Sequence, residues 1–511
     1  MKVLTAHQMK EIDRLTSERF LISPEILMER AGLSVVLALQ SELKDLSKKS
    51  FLVLCGHGNN GGDGLVVARI LHQYTDEVVT VVVGDKTKMS SETLANFKRL
   101  KAIGGIIKFL NEDLSLDELV QMVKNYDVVI DALLGIGIKG SVQGILAQVI
   151  DVVNLYARYV VSVDLPSGLD TDTGKVLGKA IKADLTVTFG LPKLCHILFP
   201  GRELTGILKV ADIGIPKILL NADEIKRNIV TKDLVLSSLP KRIKDSHKGS
   251  YGKVLVIAGS KNYPGAAVLT SIAAYRVGSG YVQLVTCKPA DEIALVREPS
   301  LIVRGFEQEF FTPSCLPTVF EVAKNSKVVV LGPGLTQSDQ TREFVLQLLK
   351  ELDLPMIIDA DGLNNIAENL DVLFQRKGPT LLTPHFGEFA RLVKLPIEAV
   401  KYNYSLVEEF SKKYGVITLL KGATTIISNG ESTYFNLMGN TSLAKAGSGD
   451  VLAGMIGGLA AQGLDLLSAA FCGAYLHGLA AEMYNLKEGT MLTSELLDLI
   501  PKAMEEVCKV G

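Results

Sequence analysis

Cysteine is scarce and scattered. The 511 residues hold six (Cys55, Cys195, Cys287, Cys315, Cys472, Cys508), and no two form a CxxC pair. That argues against a disulfide framework or a structural zinc site and fits a reducing cytoplasm. Excess charge of either sign is also missing: 54 Lys and Arg against 56 Asp and Glu leave a net charge of -2. No basic field for nucleic acid and no polybasic membrane patch is therefore expected. No uninterrupted apolar stretch reaches the ~18 residues of a spanning helix. The opening MKVLTAHQMKEID carries charges too early for a signal peptide. The chain contains no HExxH, no close His/Cys cluster and no GxxxxGK[ST], so neither a tightly held transition metal nor a P-loop is expected. What remains is ordinary for a folded protein, with 47% hydrophobic and 22% charged residues, and long enough for two or three domains.

Short Val/Ile/Leu runs alternate with helix-like stretches, the pattern of parallel sheets covered by helices. The first series of expected strands is 51–55, 78–83, 127–135, 159–168, 184–190 and 206–216. A helical region precedes it, where Ser23-Pro24-Glu25 reads as an N-cap, a first-turn proline and a favourable early acid. The rhythm lapses over 217–250, which ends in the charged stretch LPKRIKDSHKGSYGK. A second series follows at 253–260, 281–286, 327–334, 356–362, 379–388 and 416–427, and the chain then turns helical. There is no internal repeat and no low-complexity tract. The expected class is two-domain α/β.

GHGNNGGDG at 56–64 follows the first strand and opens an apolar helix, GLVVARILHQY. It fits the dinucleotide fingerprint formally, with Asp85 past the next strand where a ribose-binding acid would sit. The plain reading is a Rossmann dehydrogenase. Yet Asn59, Asn60 and Asp63 bring oxygens into a loop that a dehydrogenase keeps lean. Such oxygens suit a hard cation, while glycine amides cradle phosphate. Asp131 ends DVVID before a further Gly-rich turn, and Asp164 ends VVSVD before Leu-Pro-Ser-Gly, with Ser167 close by. One such acid alone would be taken for a cap or turn residue; acids at successive strand exits point to a common site.

GxGNNGGDG, DALLGxGxxG, VDLPSGLD and FGLPKxxxxxxPGRxxxGxLxVxDIGIP together resemble the NAD(P)H-hydrate epimerase family, over roughly residues 1–216. The resemblance implies a Rossmann-like three-layer α/β/α domain. The substrate would be a nicotinamide nucleotide hydrated at C6, interconverted between its R and S epimers. It further implies nucleotide binding by Asn59, Asn60, Gly61, Gly62 and Asp63 and by Gly135, Ile136, Gly137, Ile138, Lys139, Gly140 and Ser141. Asn60, Asp131 and Ser167 would hold a potassium ion, and Asp164 would touch the reacting ring as the catalytic carboxylate. Where the family often has glycine after PK, this chain has Leu194-Cys195-His196.

In the other half, AGSGD at 446–450 precedes the apolar run VLAGMIGGLAAQG. Gly447, Ser448 and Gly449 would leave amides free at a helix N-terminus as an anion hole, with Asp450 placed to accept a hydroxyl proton. The plain reading of Asp450 is a favourable first-turn acid. KGATT, directly after VITLL, supplies Lys421, Gly422, Ala423, Thr424 and Thr425. KGATT followed by a GxGD-type loop resembles the ribokinase-like superfamily. HKGSYGKVLVIAGS, YPGAAVLTSIAAYRVGSGYV, LGPGL, DADGLN and LTPHFGEFARL narrow the likeness to ADP-dependent NAD(P)H-hydrate dehydratase, over roughly residues 230–511. That resemblance implies that Lys421 to Thr425 and Gly449 bind ADP, with Mg²⁺ on its phosphates. Ala267, Gly334, His385 and Asp450 would face the hydrated substrate; for His385, a buried histidine before a helix is the competing reading.

The expected arrangement is an epimerase domain at 1–216, a linker at 217–229 and a dehydratase domain at 230–511. The expected partners are hydrated NADH, hydrated NADPH and ADP, in a cytoplasmic homo-oligomer free of nucleic acid and membrane. The alternative is a vitamin or sugar kinase with a nucleotide-sensing first module.

Overall fold

The computed structural model describes residues 1–401 and 403–509. They divide into two compact units, Met1–Ile225 and a second from Lys226 onward. The first unit's sheet is built from β1 (Phe51–Cys55), β2 (Val78–Val82), β3 (Ile106–Phe109), β4 (Val128–Ala132), β5 (Val160–Val163), β6 (Leu185–Phe189) and β7 (Ile207–Ala211). Their spatial order is β3-β2-β1-β4-β5-β6-β7, and every pairing is parallel. The five central strands are buried along their whole length, as apolar runs must be when helices cover both faces. The order reverses between β1 and β4, so their C-terminal ends open a crevice of the kind that holds ligands in doubly wound folds.

Helix α1 (Ala6–Phe20) is capped by Thr5 in a reciprocal capping box with Gln8. Helix α2 (Pro24–Leu43) starts as expected, with the Ser23 side chain accepting from Ile26 N and proline in the first turn. Helix α3 (Asn59–Leu71) begins within the Gly-rich loop.

The second unit carries a ten-stranded sheet: β8 (Arg227–Ile229), β9 (Lys253–Ile257), β10 (Tyr281–Cys287), β11 (Ile302–Phe306), β12 (Val328–Leu331), β13 (Met356–Ile358), β14 (Thr380–Leu382), β15 (Ile417–Leu420), β16 (Thr425–Ser428) and β17 (Thr433–Asn436). The order is β11-β10-β9-β12-β13-β14-β15-β16-β17-β8. Two corrections to the sequence reading follow. The stretch 416–427, expected as one strand, is a pair of antiparallel strands, β15 and β16, because residues 421–424 turn the chain back on itself. Residues 227–229, expected in a linker, form the edge strand β8 and pair with β17. Arg227 is fixed there by a two-pronged ion pair with Glu408, at 3.0 and 2.8 Å.

Small residues let the helices of this unit pack closely. A side chain at Gly454, on the helix Ser448–Ala461, would place its Cβ 2.1 Å from the Thr270 carbonyl oxygen of the helix Pro264–Arg276. Any larger residue would push the two helices apart.

Two candidate catalytic sites

In the first loop two of the glycines, Gly56 and Gly61, answer to backbone contacts. A Cβ at Gly56 would lie 2.0 Å from Leu133 O, and one at Gly61 would lie 1.9 Å from Gly56 O. The loop therefore presses flat against the β4 exit and leaves the first turn of α3 facing a cleft of about 750 Å³. Asn59, Asn60, Asp63, Gly135, Ile136, Gly137, Ile138 and Asp164 line this cleft, as expected of one site. Gly61, Gly62, Lys139, Gly140 and Ser141 do not line it. Asp85 does not line it either; its carboxylate accepts from Thr87 N and caps a short turn.

Asp164 stands just past β5 with φ 65°, a left-handed conformation that costs an ordinary side chain energy. Three neighbours hold it there. Lys193 Nζ donates to Asp164 Oδ1 at 2.6 Å, and Thr188 Oγ1 donates to the same oxygen at 2.9 Å. His196 Nε2 donates to the Asp164 carbonyl at 3.0 Å, while its Nδ1 accepts from Lys193 N. Those two bonds fix the imidazole as the neutral Nε2–H tautomer. Burial, followed by the Lys193 charge, pushes its pKa down to about 3. The Lys193 ammonium spends its other two protons on Thr188 Oγ1 and Phe189 O and is 1% exposed. Burial acts to raise the Asp164 carboxyl, but the ammonium beside it overcomes this and holds it below the usual range. Asp164 Oδ1 is thus committed, and it is an ionised carboxylate that borders the cleft.

Sequence reasoning gave Lys193 and His196 no role. The lysine sits inside a motif that carried the resemblance, and the histidine marks the chain's departure from it, so both positions were visible but their function was not.

Asp131 is wholly buried under the loop. It accepts from Ser162 Oγ at 2.8 Å, from Ser167 Oγ at 2.6 Å and N at 2.9 Å, and from Leu133 N at 3.3 Å. Asn60 Nδ2 donates to Leu134 O, and Ser167 Oγ lies 2.8 Å from Leu134 N. The three expected cation ligands thus converge on one stretch of backbone. Burial raises the Asp131 carboxyl, and no ammonium or guanidinium is among its bonding partners.

In the second unit, Gly447 (φ 88°) caps the helix Ser448–Ala461 and puts Asp450 in its first turn. The leading amides of such a helix have no intrahelical acceptor and face an incoming anion. Lys421 reaches the same place: a Cβ at Gly449 would lie 3.3 Å from Lys421 Nζ and 3.7 Å from Asp359 Oδ2. Lys421 Nζ donates to Asp359 Oδ1 at 2.7 Å, and Glu388 Oε2 lies 3.9 Å away. Burial works against the Lys421 charge, yet Asp359 and Glu388 hold its pKa above the usual value. Asp450 itself is pushed up to about 7, by burial first and then by Asp359.

His385 is not a buried histidine. Its side chain is 59% exposed and caps the helix Phe386–Val393, Nδ1 accepting from Gly387 N and Glu388 N. Gly334 adopts φ 66° and approaches Tyr263, where a Cβ would meet Tyr263 Cβ at 2.8 Å. Ala267 is wholly buried beneath Gly259, so the structure does not bring it to a ligand-facing surface. Lys421, Gly422, Ala423 and Thr424 form the turn between β15 and β16, and Thr425 opens β16. Asp359, Glu388 and His477 were not anticipated. His477 Nε2 donates to Ser448 O at 3.0 Å and so pins the Gly-rich loop; burial lowers its pKa to about 4.

Both units resemble known proteins. The family model described as NAD(P)H-hydrate dehydratase matches residues 254–502, and that of the YjeF-related protein N-terminus matches residues 24–195. A bifunctional NAD(P)H-hydrate repair enzyme from Thermofilum pendens is 38% identical over 99% of this chain and 96% of its own length. Its counterpart from Moorella thermoacetica is 37% identical over 99% and 97%. Among solved structures, a ribokinase-like superfamily protein from Enterococcus faecalis is 25% identical over 55% of this chain and 96% of its own, with a TM-score of 0.50. With both units matched and the likeness running the length of the chain, the protein belongs to the family of bifunctional NAD(P)H-hydrate repair enzymes.

Proposed function

We propose that the chain repairs hydrated NADH and NADPH in two steps, epimerising the R and S forms at C6 in the first unit and dehydrating the S form with ADP in the second. The observation that carries the second step is Asp450 in the first turn of a glycine-capped helix, with the Lys421 ammonium beside Gly449. Asp450 takes the proton of the C6 hydroxyl as that oxygen attacks the terminal phosphoryl group of ADP. Lys421 and the amides of Gly449 and Asp450 balance the phosphate charge. AMP departs, the ring nitrogen pair expels phosphate from C6, and loss of a C5 proton restores NAD(P)H.

Among the described residues no group of three His, Cys, Asp or Glu side chains makes a metal cage. That suits Mg²⁺, which is carried on nucleotide phosphates with few protein ligands. When bound it supplies charge neutralisation at those phosphates.

In the first unit, the ionised Asp164 and the cleft around it support the epimerase role. Asn60, Asp131 and Ser167 would hold potassium through hard oxygens, for which such a cation is suited and zinc is not. The fit rests on Asp131, a buried carboxyl bonded to no protein cation. A bound monovalent cation would supply that countercharge and fix the β4 and β5 exits together. The six cysteines are all free thiols, consistent with work in a reducing cytoplasm.

The direct test gives the full chain both epimers with ADP and follows recovery of the reduced nicotinamide absorbance. Complete recovery is expected. A halt once the S epimer is spent removes the epimerase claim, and no recovery at all removes the dehydratase claim.

A further inference from the structure

Helix α1 puts a carboxyl into the first cleft that no motif marked. Asp13 lines it with Met9 and Lys10, across from Asp63 of α3 and from Asp164 and Lys193. The remaining charged or titratable groups bordering the cleft are Arg14, Glu18 and His57. Of the three cationic side chains at the cleft, Lys10 is exposed and the other two are engaged. Lys193 has all three protons committed, to Asp164, Thr188 and Phe189 O. Arg14 is tied to Glu11 and Glu18. Among the described residues no hydrogen bond or ion pair engages the Asp13 carboxyl; only its backbone oxygen is used, by Ser17. Asp13 therefore shares the cleft with three other acids, Glu18, Asp63 and Asp164. One of these, Asp164, owns the cation.

We propose that Asp13 is the second proton-transfer group of the first unit, acting as a general acid on the C6 hydroxyl while Asp164 acts as base. The proposal rests on the epimerase reading and adds a residue to it. The Asp13 carboxyl gives its proton to the C6 hydroxyl. The C6–O bond breaks with both electrons leaving on water, and the ring nitrogen pair closes a C=N bond to C6. Water then adds to the opposite face of C6 and loses its proton to the Asp164 carboxylate. One proton has passed from Asp13 to Asp164 and returns through cleft water before the next turnover. No oxidant, reductant or further reactant is consumed.

The electrostatics of the cleft sort the two roles. Burial, then the Asp164 charge, outweighs the attraction of Lys193 and brings Asp13 up to about 6, whereas the same ammonium keeps Asp164 low. Two carboxyls whose surroundings push them apart are the arrangement an acid/base pair requires. Asp63 is held well above the ordinary carboxylate value, by burial first and then by Asp164 and Asp13.

The test measures interconversion of separated epimers by the full chain, with ADP withheld. Asp13→Asn is expected to lower kcat about 10²-fold, with KM little changed and the unfolding midpoint preserved. Asp13→Glu, which restores the acid, is expected to recover part of the rate. In the unsubstituted chain the rate should fall as pH rises through about 6, and this limb should vanish in the residual activity of Asp13→Asn. Interconversion by Asp13→Asn at the unsubstituted rate, or a pH limb that survives the substitution, overturns the proposal. If the unsubstituted chain itself fails to interconvert the epimers, it is the epimerase reading that falls.

Discussion

Each unit sets a carboxylate near a lysine, buried in the first and half-buried in the second, and the two lysines are used in opposite ways. In the first, Lys193 pairs directly with Asp164 at 2.6 Å and keeps it ionised. In the second, Lys421 pairs with Asp359 at 2.7 Å, and Asp450 is left to burial and rises to about 7. The first carboxylate is ionised before any ligand arrives. The second is close to half protonated at neutral pH and has no cation of its own.

The strongest way to break the contrast is to replace each carboxylate by its amide. Asp450→Asn should cut ADP-dependent dehydration of the S epimer by about 10²-fold or more while R and S still interconvert. Asp164→Asn should do the reverse. It should also lower the thermal midpoint of its unit, because a buried Lys193 loses the charge it was paired with, at a cost of about 3–5 kcal/mol. If Asp164→Asn leaves epimerisation intact, or each variant disables both steps, the comparison fails.

A smaller effect concerns the other buried acid of the first unit. Replacing potassium by a large organic cation should lower the unfolding midpoint of that unit by a few degrees and weaken nucleotide binding. Asp131→Asn should remove the dependence on the ion, since the amide no longer needs a countercharge. A midpoint indifferent to the cation shows Asp131 to be a turn residue held by Ser162 and Ser167.

The smallest effect sharpens the reading of Asp450. Its folded pKa lies above the unfolded value, so the folded state binds the proton more tightly. Stability from this group is fully present below the unfolded carboxylate value and is lost as pH rises to about 7. Asp450→Asn should therefore raise the unfolding midpoint of the second unit at pH 8, and the gain should shrink toward pH 5. Equal midpoints at both pH values would mean that Asp450 is well solvated.

The central strands were legible because parallel sheets bury whole apolar runs, as in Phe51–Cys55 and Val328–Leu331. The strands not anticipated are β3, β8 and β11, beside the hairpin partner β17. Three of these lie at sheet edges, where one side meets water: Ile106 is 50% exposed and Arg304 interrupts Ile302–Phe306. An edge needs no continuous hydrophobic run and so leaves a weak trace. The site shows the same division. Asp131, Asp164 and Asp450 stand at strand exits or helix starts and announce themselves locally. Asp13 sits mid-helix in an ordinary amphipathic pattern, and Lys193, His196 and Asp359 gain their meaning from residues distant in sequence.

The strand β8 has a practical consequence for anyone dissecting the chain. It covers the open side of β17 through parallel pairing at Arg227, Asn228 and Ile229. A fragment begun at residue 230 would lose that cover and expose the unpaired amides and carbonyls of Thr433–Asn436, a ready template for strand-to-strand association. It would also leave Glu408 without Arg227, its guanidinium partner. A fragment begun at Lys226 keeps the strand and the ion pair. Two preparations differing by four residues should therefore differ in solubility far more than in stability of the catalytic loops, with the shorter one self-associating as its concentration rises.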